Sequence, residues 1–193
     1  MVVRKPGARP GRGTGGMEPL PPQKKWRAIL IATLLLVPAY WSILAGLVAG
    51  AADSKVDDAP APGAALALGL ALIPFVFIAL AFLSEHPRAP GAVLKAMGLS
   101  ILVGMIASAL TADGVTGIVA GVGAGGVVAL RSDEPHNWRA RAIAVTAAAA
   151  YTFVLVRILG SVALLPAPMF PFTGIGIADH LSERRWEREN KGA

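Results

Sequence analysis

From Ala28 onward the chain alternates between long apolar runs and short polar connectors. The runs are Ala28–Ala52, Ala64–Leu83, Ala96–Leu110, Val115–Leu130 and Ala142–Ala178. A hydrocarbon core of about 30 Å takes about 20 helical residues per crossing, and a lone strand cannot cross because lipid offers its amides no partner. The pattern therefore predicts helices that span a membrane. Apolar–polar alternation with turn signals does not recur at the spacing of about 10 residues that an outer-membrane barrel needs. The expected fold class is an all-α membrane protein, a helical bundle over residues 26–181 preceded by a disordered basic tail (1–25) and followed by a charged cytoplasmic tail (182–193).

The connectors set the topology. Span 1 follows Lys24-Lys25-Trp26-Arg27, an interfacial anchor, and its long apolar run argues for an uncleaved anchor although Ala49-Gly50-Ala51 resembles a signal-peptidase site. The next connector carries Asp53, Lys55, Asp57 and Asp58 and belongs outside. The Ser84–Lys95 connector, with two bases and Pro87, and the Arg131–Arg141 connector, with three bases and Trp138, read as inner loops. Between them Ala112-Asp113-Gly114 supplies a tight outer turn.

The last apolar run is 37 residues, longer than one crossing of about 17–25 residues and barely enough for two. Parity decides: six crossings put Arg184, Arg185, Arg188 and Lys191 on the cytoplasmic side, where the positive-inside rule wants them, and five put them outside. The expectation is six transmembrane helices, with five as the alternative. Span 5 covers Arg139–Leu159, a turn falls at Gly160-Ser161, and span 6 covers Val162–Leu181. Pro166, Pro168 and Pro171 would kink or unwind span 6, which makes a re-entrant segment the close competitor.

Composition agrees with the pattern. The chain is 54% hydrophobic and 16% charged, with a mean hydropathy of +0.59, far too apolar for a water-soluble domain of 193 residues. The absence of cysteine excludes disulfides, thiolate metal ligands and palmitoylation. The net charge of +6 resides wholly in residues 1–27, which hold seven bases and one acid; the remainder is neutral. That arm is too polar and too rich in Gly and Pro to fold alone, and it reads as a topogenic, lipid-touching segment and not as a nucleic-acid binder, since no aromatic precedes Trp26. Met17 is an alternative start that would shorten it.

Few residues promise chemistry. Arg157 is the one ionisable residue inside an apolar run. With six crossings it lies about 27 Å along span 5 from Arg139, at the outer rim, where Asp113 and Asp53 are its available partners. Arg157 and Asp113 are the candidate functional charges. Small residues at helical spacing, Gly117, Gly121 and Gly125 in span 4 and Ser100, Gly104, Ser108 and Ala112 in span 3, predict two faces in close backbone contact across the Asp113 turn. Gly46 and Gly50 in span 1 offer a weaker face for a second copy. The letters Gly121-Val122-Gly123-Ala124-Gly125-Gly126 match a dinucleotide fingerprint, but the motif needs a strand-to-helix turn and here lies inside a membrane run. His86, His136 and His180 each neighbour an acid yet lack ligand spacing on one helix, so no metal or other cofactor is expected. No serine or threonine has an activating base at membrane depth, which argues against an enzyme.

The expected function is a non-catalytic membrane subunit, scaffold or assembly factor, with a small transporter or channel subunit as the alternative. Its partners are the lipid bilayer and either other membrane proteins or a second copy of the chain, and no nucleic acid. The expected location is the cell membrane, multi-pass, with the N-terminus cytoplasmic. The inverted-repeat test for transporters finds no matching helix breaks: Pro38 and Pro74 have no counterparts in spans 4 and 5.

Overall fold

The computed structural model describes residues 22–52, 62–86, 88–131, 138–169, 172–174 and 177. These are helical almost throughout, with no strand among them. The α-helices are α1 (Pro22–Ala51), α2 (Pro62–Leu83), α3 (Ala89–Thr111), α4 (Gly114–Arg131) and α5 (Trp138–Leu159). Four stretches are long and apolar enough to cross a hydrocarbon core: Lys25–Ala51, Pro62–Leu83, Ala89–Thr111 and Thr146–Leu164. At 18 residues, α4 is the shortest of the five helices. Of the basic tail, only Pro22–Lys25 falls among the described residues, and it already belongs to α1; residues 182–193 lie outside them.

Many large apolar side chains point out, while alanines line much of the interior beside a few buried aromatic and aliphatic residues such as Tyr40, Phe77 and Leu36. Leu34, Leu94, Met105 and Leu110 are exposed, Leu110 at 82%, while Ala32, Ala39, Ala96 and Ala129 are fully buried. A water-soluble bundle does the reverse, because water drives bulk apolar area inward; in lipid that drive is absent between helices and close backbone approach replaces it. Three threonine hydroxyls are satisfied within their own helices. Thr33, Thr111 and Thr152 donate to the carbonyl one turn back, at 2.8, 2.6 and 2.8 Å.

Two antiparallel pairs organise the bundle, α1 with α2 and α3 with α4, and α5 lies along α4. In the first pair Gly69 of α2 abuts the Ala39 carbonyl, where an added Cβ would come within 2.6 Å, and Gly46 of α1 abuts the Pro62 carbonyl at 2.8 Å. Gly46 is thus taken up inside the chain. The expectation that it forms a face for a second copy is corrected, because α2 already fills that face.

Helix ends follow local chemistry. After Leu83 the His86 N–H donates to the Ala81 carbonyl and the Glu85 N–H to Phe82, each at 3.0 Å, with Glu85 at φ 55°. This 6→1 and 5→2 pattern is a Schellman stop with glutamate where glycine is usual. Ala112 ends α3 in the same left-handed region, φ 51° and ψ 30°, so it serves as a cap and stays exposed instead of joining the small-residue face.

The chain turns at Gly160, whose φ of +59° suits glycine. Beyond it the regular helix expected over Val162–Leu181 does not form up to Met169, where Gly160–Leu164 and Ala167–Met169 are 3-10 turns; farther on, Phe172–Gly174 and Ile177 are α-helical. Pro166 and Pro168 lack the N–H donors an α-helix would use, and tighter turns take up the backbone. The segment packs back on α1 and α4. Ala163, Leu164, Ala167 and Phe172 are all buried to within 1%.

Candidate functional site

The region where α4 begins and α5 ends holds a cleft of about 480 Å³, lined among others by Asp113, Thr116, Phe153, Arg157 and Ser161. The structure brings both candidate charges, Arg157 and Asp113, to its wall. They do not form an ion pair within 4.0 Å. Each is engaged locally instead.

Asp113 caps α4. Its Oδ1 accepts from the Val115 N–H at 3.1 Å, and its Oδ2 accepts from the Thr116 N–H at 3.0 Å and the Thr116 hydroxyl at 2.6 Å. Partial burial pushes the carboxyl up, but the hydrogen bonds from Thr116 and Val115 together outweigh it and hold Asp113 below the usual carboxylate value. The charge therefore persists at neutral pH and complements the positive end of the α4 dipole. Arg157, in the last turn of α5, is exposed and sits over the face of Phe153, its Cζ 5.5 Å from the ring centroid. That cation–π contact does not use its N–H donors.

The small-residue positions of α3 and α4 meet in a regular register. Gly125 lies against the Ala96 carbonyl, with a Cβ reaching 2.8 Å; Gly121 lies against the Ser100 carbonyl; Gly104 faces the Gly117 carbonyl at 3.1 Å; and Gly117 faces the Ser108 hydroxyl. Each four-residue step up α3 is matched by a four-residue step down α4. Any side chain at Gly117 or Gly121 would strike backbone or a neighbouring side chain held by backbone.

Sequence reasoning missed two aromatic sockets. Gly125 also faces Phe77 of α2, whose ring would lie 2.5 Å from an added Cβ, and the adjacent Gly126 faces Phe172. The glycine-rich letters that mimic a nucleotide fingerprint thus seat two phenylalanine rings from opposite parts of the chain. The signal available was the Gly125-Gly126 doublet beside a chain with only six phenylalanines; it names no partner by itself.

Of the three histidines only His86 is described. It is buried, and its Nδ1 accepts from the Arg88 N–H at 3.1 Å as α3 begins. His136 and His180 lie outside the described residues. Among the described residues no group of three His, Asp or Glu could hold a metal. The chain matches no protein-family model, no curated protein and no solved structure.

Proposed function

We propose that this chain is a multi-pass protein of the cell membrane, N-terminus cytoplasmic, that acts as a non-catalytic subunit, scaffold or assembly factor. The observation carrying this reading is the enclosure of α4. From Val115 to Leu130 its residues are buried, with only Ile118 and Val128 partly open, and its glycines touch the backbone of α3 and the rings of α2 and of the C-terminal segment. A helix packed on that many sides supports a sealed core over a solute path among the described residues.

The topology rests on charge and on the returning segment. Seven bases lie in residues 1–27, four of them before α1 and three at its start, and the connector after α1 has one base and three acids. Gly126, which Phe172 meets, lies twelve residues from the start of α4, about 18 Å of rise. A chain that leaves α5 at Gly160 and reaches Gly126 has come back across much of the membrane. Irregular backbone is tolerated at that depth when protein covers it, as it does Ala163, Leu164 and Ala167. We assign the sixth crossing to this buried segment.

The Asp113–Arg157 cleft is the observation that favours the second reading, a small transporter or channel subunit. Flux measurements on the purified protein in liposomes separate the two. Release of small ions and zwitterionic solutes no faster than from empty liposomes is the expected result. Flux that disappears in Arg157→Ala would replace the scaffold with a transporter.

A further inference from the structure

The cleft presents one positive and one negative group that leave each other unpaired. Arg157 has five N–H donors, and among the described residues its one contact is the Phe153 ring face. Asp113 uses three of its roughly four lone-pair sites on α4, so one site on Oδ1 remains. Thr116 and Ser161 add hydroxyls to the wall.

The surroundings are apolar and open. α3 and α5 both pack on α4 but hardly on each other, so the cleft lies between two helices separated on their outer face. Leu110 on one side and Phe153, Ile158 and Val162 on the other are exposed. These margins suit acyl chains.

We propose that the cleft holds the zwitterionic headgroup of an ethanolamine phospholipid, its phosphate on Arg157 and its ammonium on Asp113. The guanidinium fork matches phosphate oxygens in a bidentate geometry, and an ammonium has an N–H to give the free Oδ1 site, which a quaternary choline lacks. The volume, about 480 Å³, falls within the range of about 300–1,000 Å³ typical of small-ligand sites. The assignment rests on the membrane-spanning reading above and is independent of the scaffold reading. Solute flux would overturn the latter and leave lipid retention unchanged.

Native mass spectrometry of the purified full chain with phosphatidylethanolamine, phosphatidylcholine and phosphatidylglycerol of matched acyl chains is the test. The wild type is expected to retain one ethanolamine lipid about tenfold more tightly than the choline lipid, one charge-assisted hydrogen bond's worth of discrimination. Arg157→Ala should lose that retention. Asp113→Asn removes the charge while its amide oxygen still accepts from an α4 N–H, since asparagine is a good N-cap residue, and should shift the preference to the anionic glycerol lipid. Equal retention of all three lipids by the wild type, or undiminished ethanolamine-lipid retention by Arg157→Ala, would overturn the proposal. Displacement of the lipid by millimolar free phosphoethanolamine would overturn the lipid assignment and make the ligand a soluble zwitterion.

Discussion

The ring of Phe172 occupies the space where Gly126 has no side chain. Gly126→Ala drives a methyl into that ring and should lower stability by about 1–3 kcal/mol. Phe172→Ala empties a fully buried site and should cost about 3–5 kcal/mol. In the Phe172→Ala background the three atoms nearest the Gly126 methyl are gone, so Gly126→Ala is expected to cost much less there. A double-mutant cycle on unfolding in detergent reads this coupling, and additive effects would show that the two residues do not meet.

Gly121→Leu should disrupt the fold far more than Gly63→Leu. Gly121 lies against the Ser100 carbonyl, whereas an added Cβ at Gly63 meets nothing within 4 Å. Four extra carbons between α3 and α4 must separate helices that depend on close approach. Melting temperatures of the two variants in detergent check this; equal values would remove the α3–α4 interlock.

Asp113 carries a pH dependence of known sign. Its folded pKa is lowered, because hydrogen bonds from Thr116 and Val115 overcome the upward push of partial burial. The resulting stabilisation is fully present above the unfolded value of about 3.9 and is lost as pH falls through the lower folded value. Asparagine keeps one of the two cap acceptors, its amide oxygen, and does not titrate. The stability difference between wild type and Asp113→Asn, less than about 1 kcal/mol at a solvated site, should therefore shrink from pH 7 to the strongly acidic side of that window. A gap in unfolding free energy that stays constant over this range would contradict the cap geometry.

Ala112 holds a left-handed conformation at φ 51° with its side chain exposed. Glycine takes that conformation without the Cβ clash, which costs an L-residue about 1–2 kcal/mol, but it adds freedom to the unfolded chain worth about 0.4–1 kcal/mol. Ala112→Gly should stabilise the protein by up to about 1 kcal/mol. Denaturant unfolding in detergent measures it, and a clear loss would mean that the turn is held another way.

Reporter fusions at residues 16 and 193 test the crossing number. Both should report the cytoplasmic side. An outward C-terminal reporter would falsify the sixth crossing and leave the segment after Gly160 as a plug entering from outside.

The helical class was legible because lipid selects on length and apolarity, which are linear properties of the chain. The runs beginning at Ala64 and Val115 reappear as α2 and α4 within two residues at each end. The turn at Gly160 was legible too, since it is the sole glycine between Gly126 and Gly174. Which face meets which neighbour was not. Helices apolar on every side carry no inward stripe, so nothing in the letters says that Gly46 serves α2 or that Gly126 awaits a ring 46 positions later. The 3-10 path after Gly160 was hidden for a related reason: prolines announce that an α-helix is interrupted, and they do not say what shape replaces it.

Six of the eighteen residues of α4 are glycine. Emerging by itself into lipid, such a helix would have bare backbone and little apolar bulk to hold it there. Only Ala112 and Asp113 separate it from α3, so when α4 leaves the ribosome its partner has just been made and stands beside it. In a bilayer that order would let the hairpin enter as one hydrophobic unit, and the helix least able to insert unaided would be the one that α5 and the segment after Gly160 then pack against.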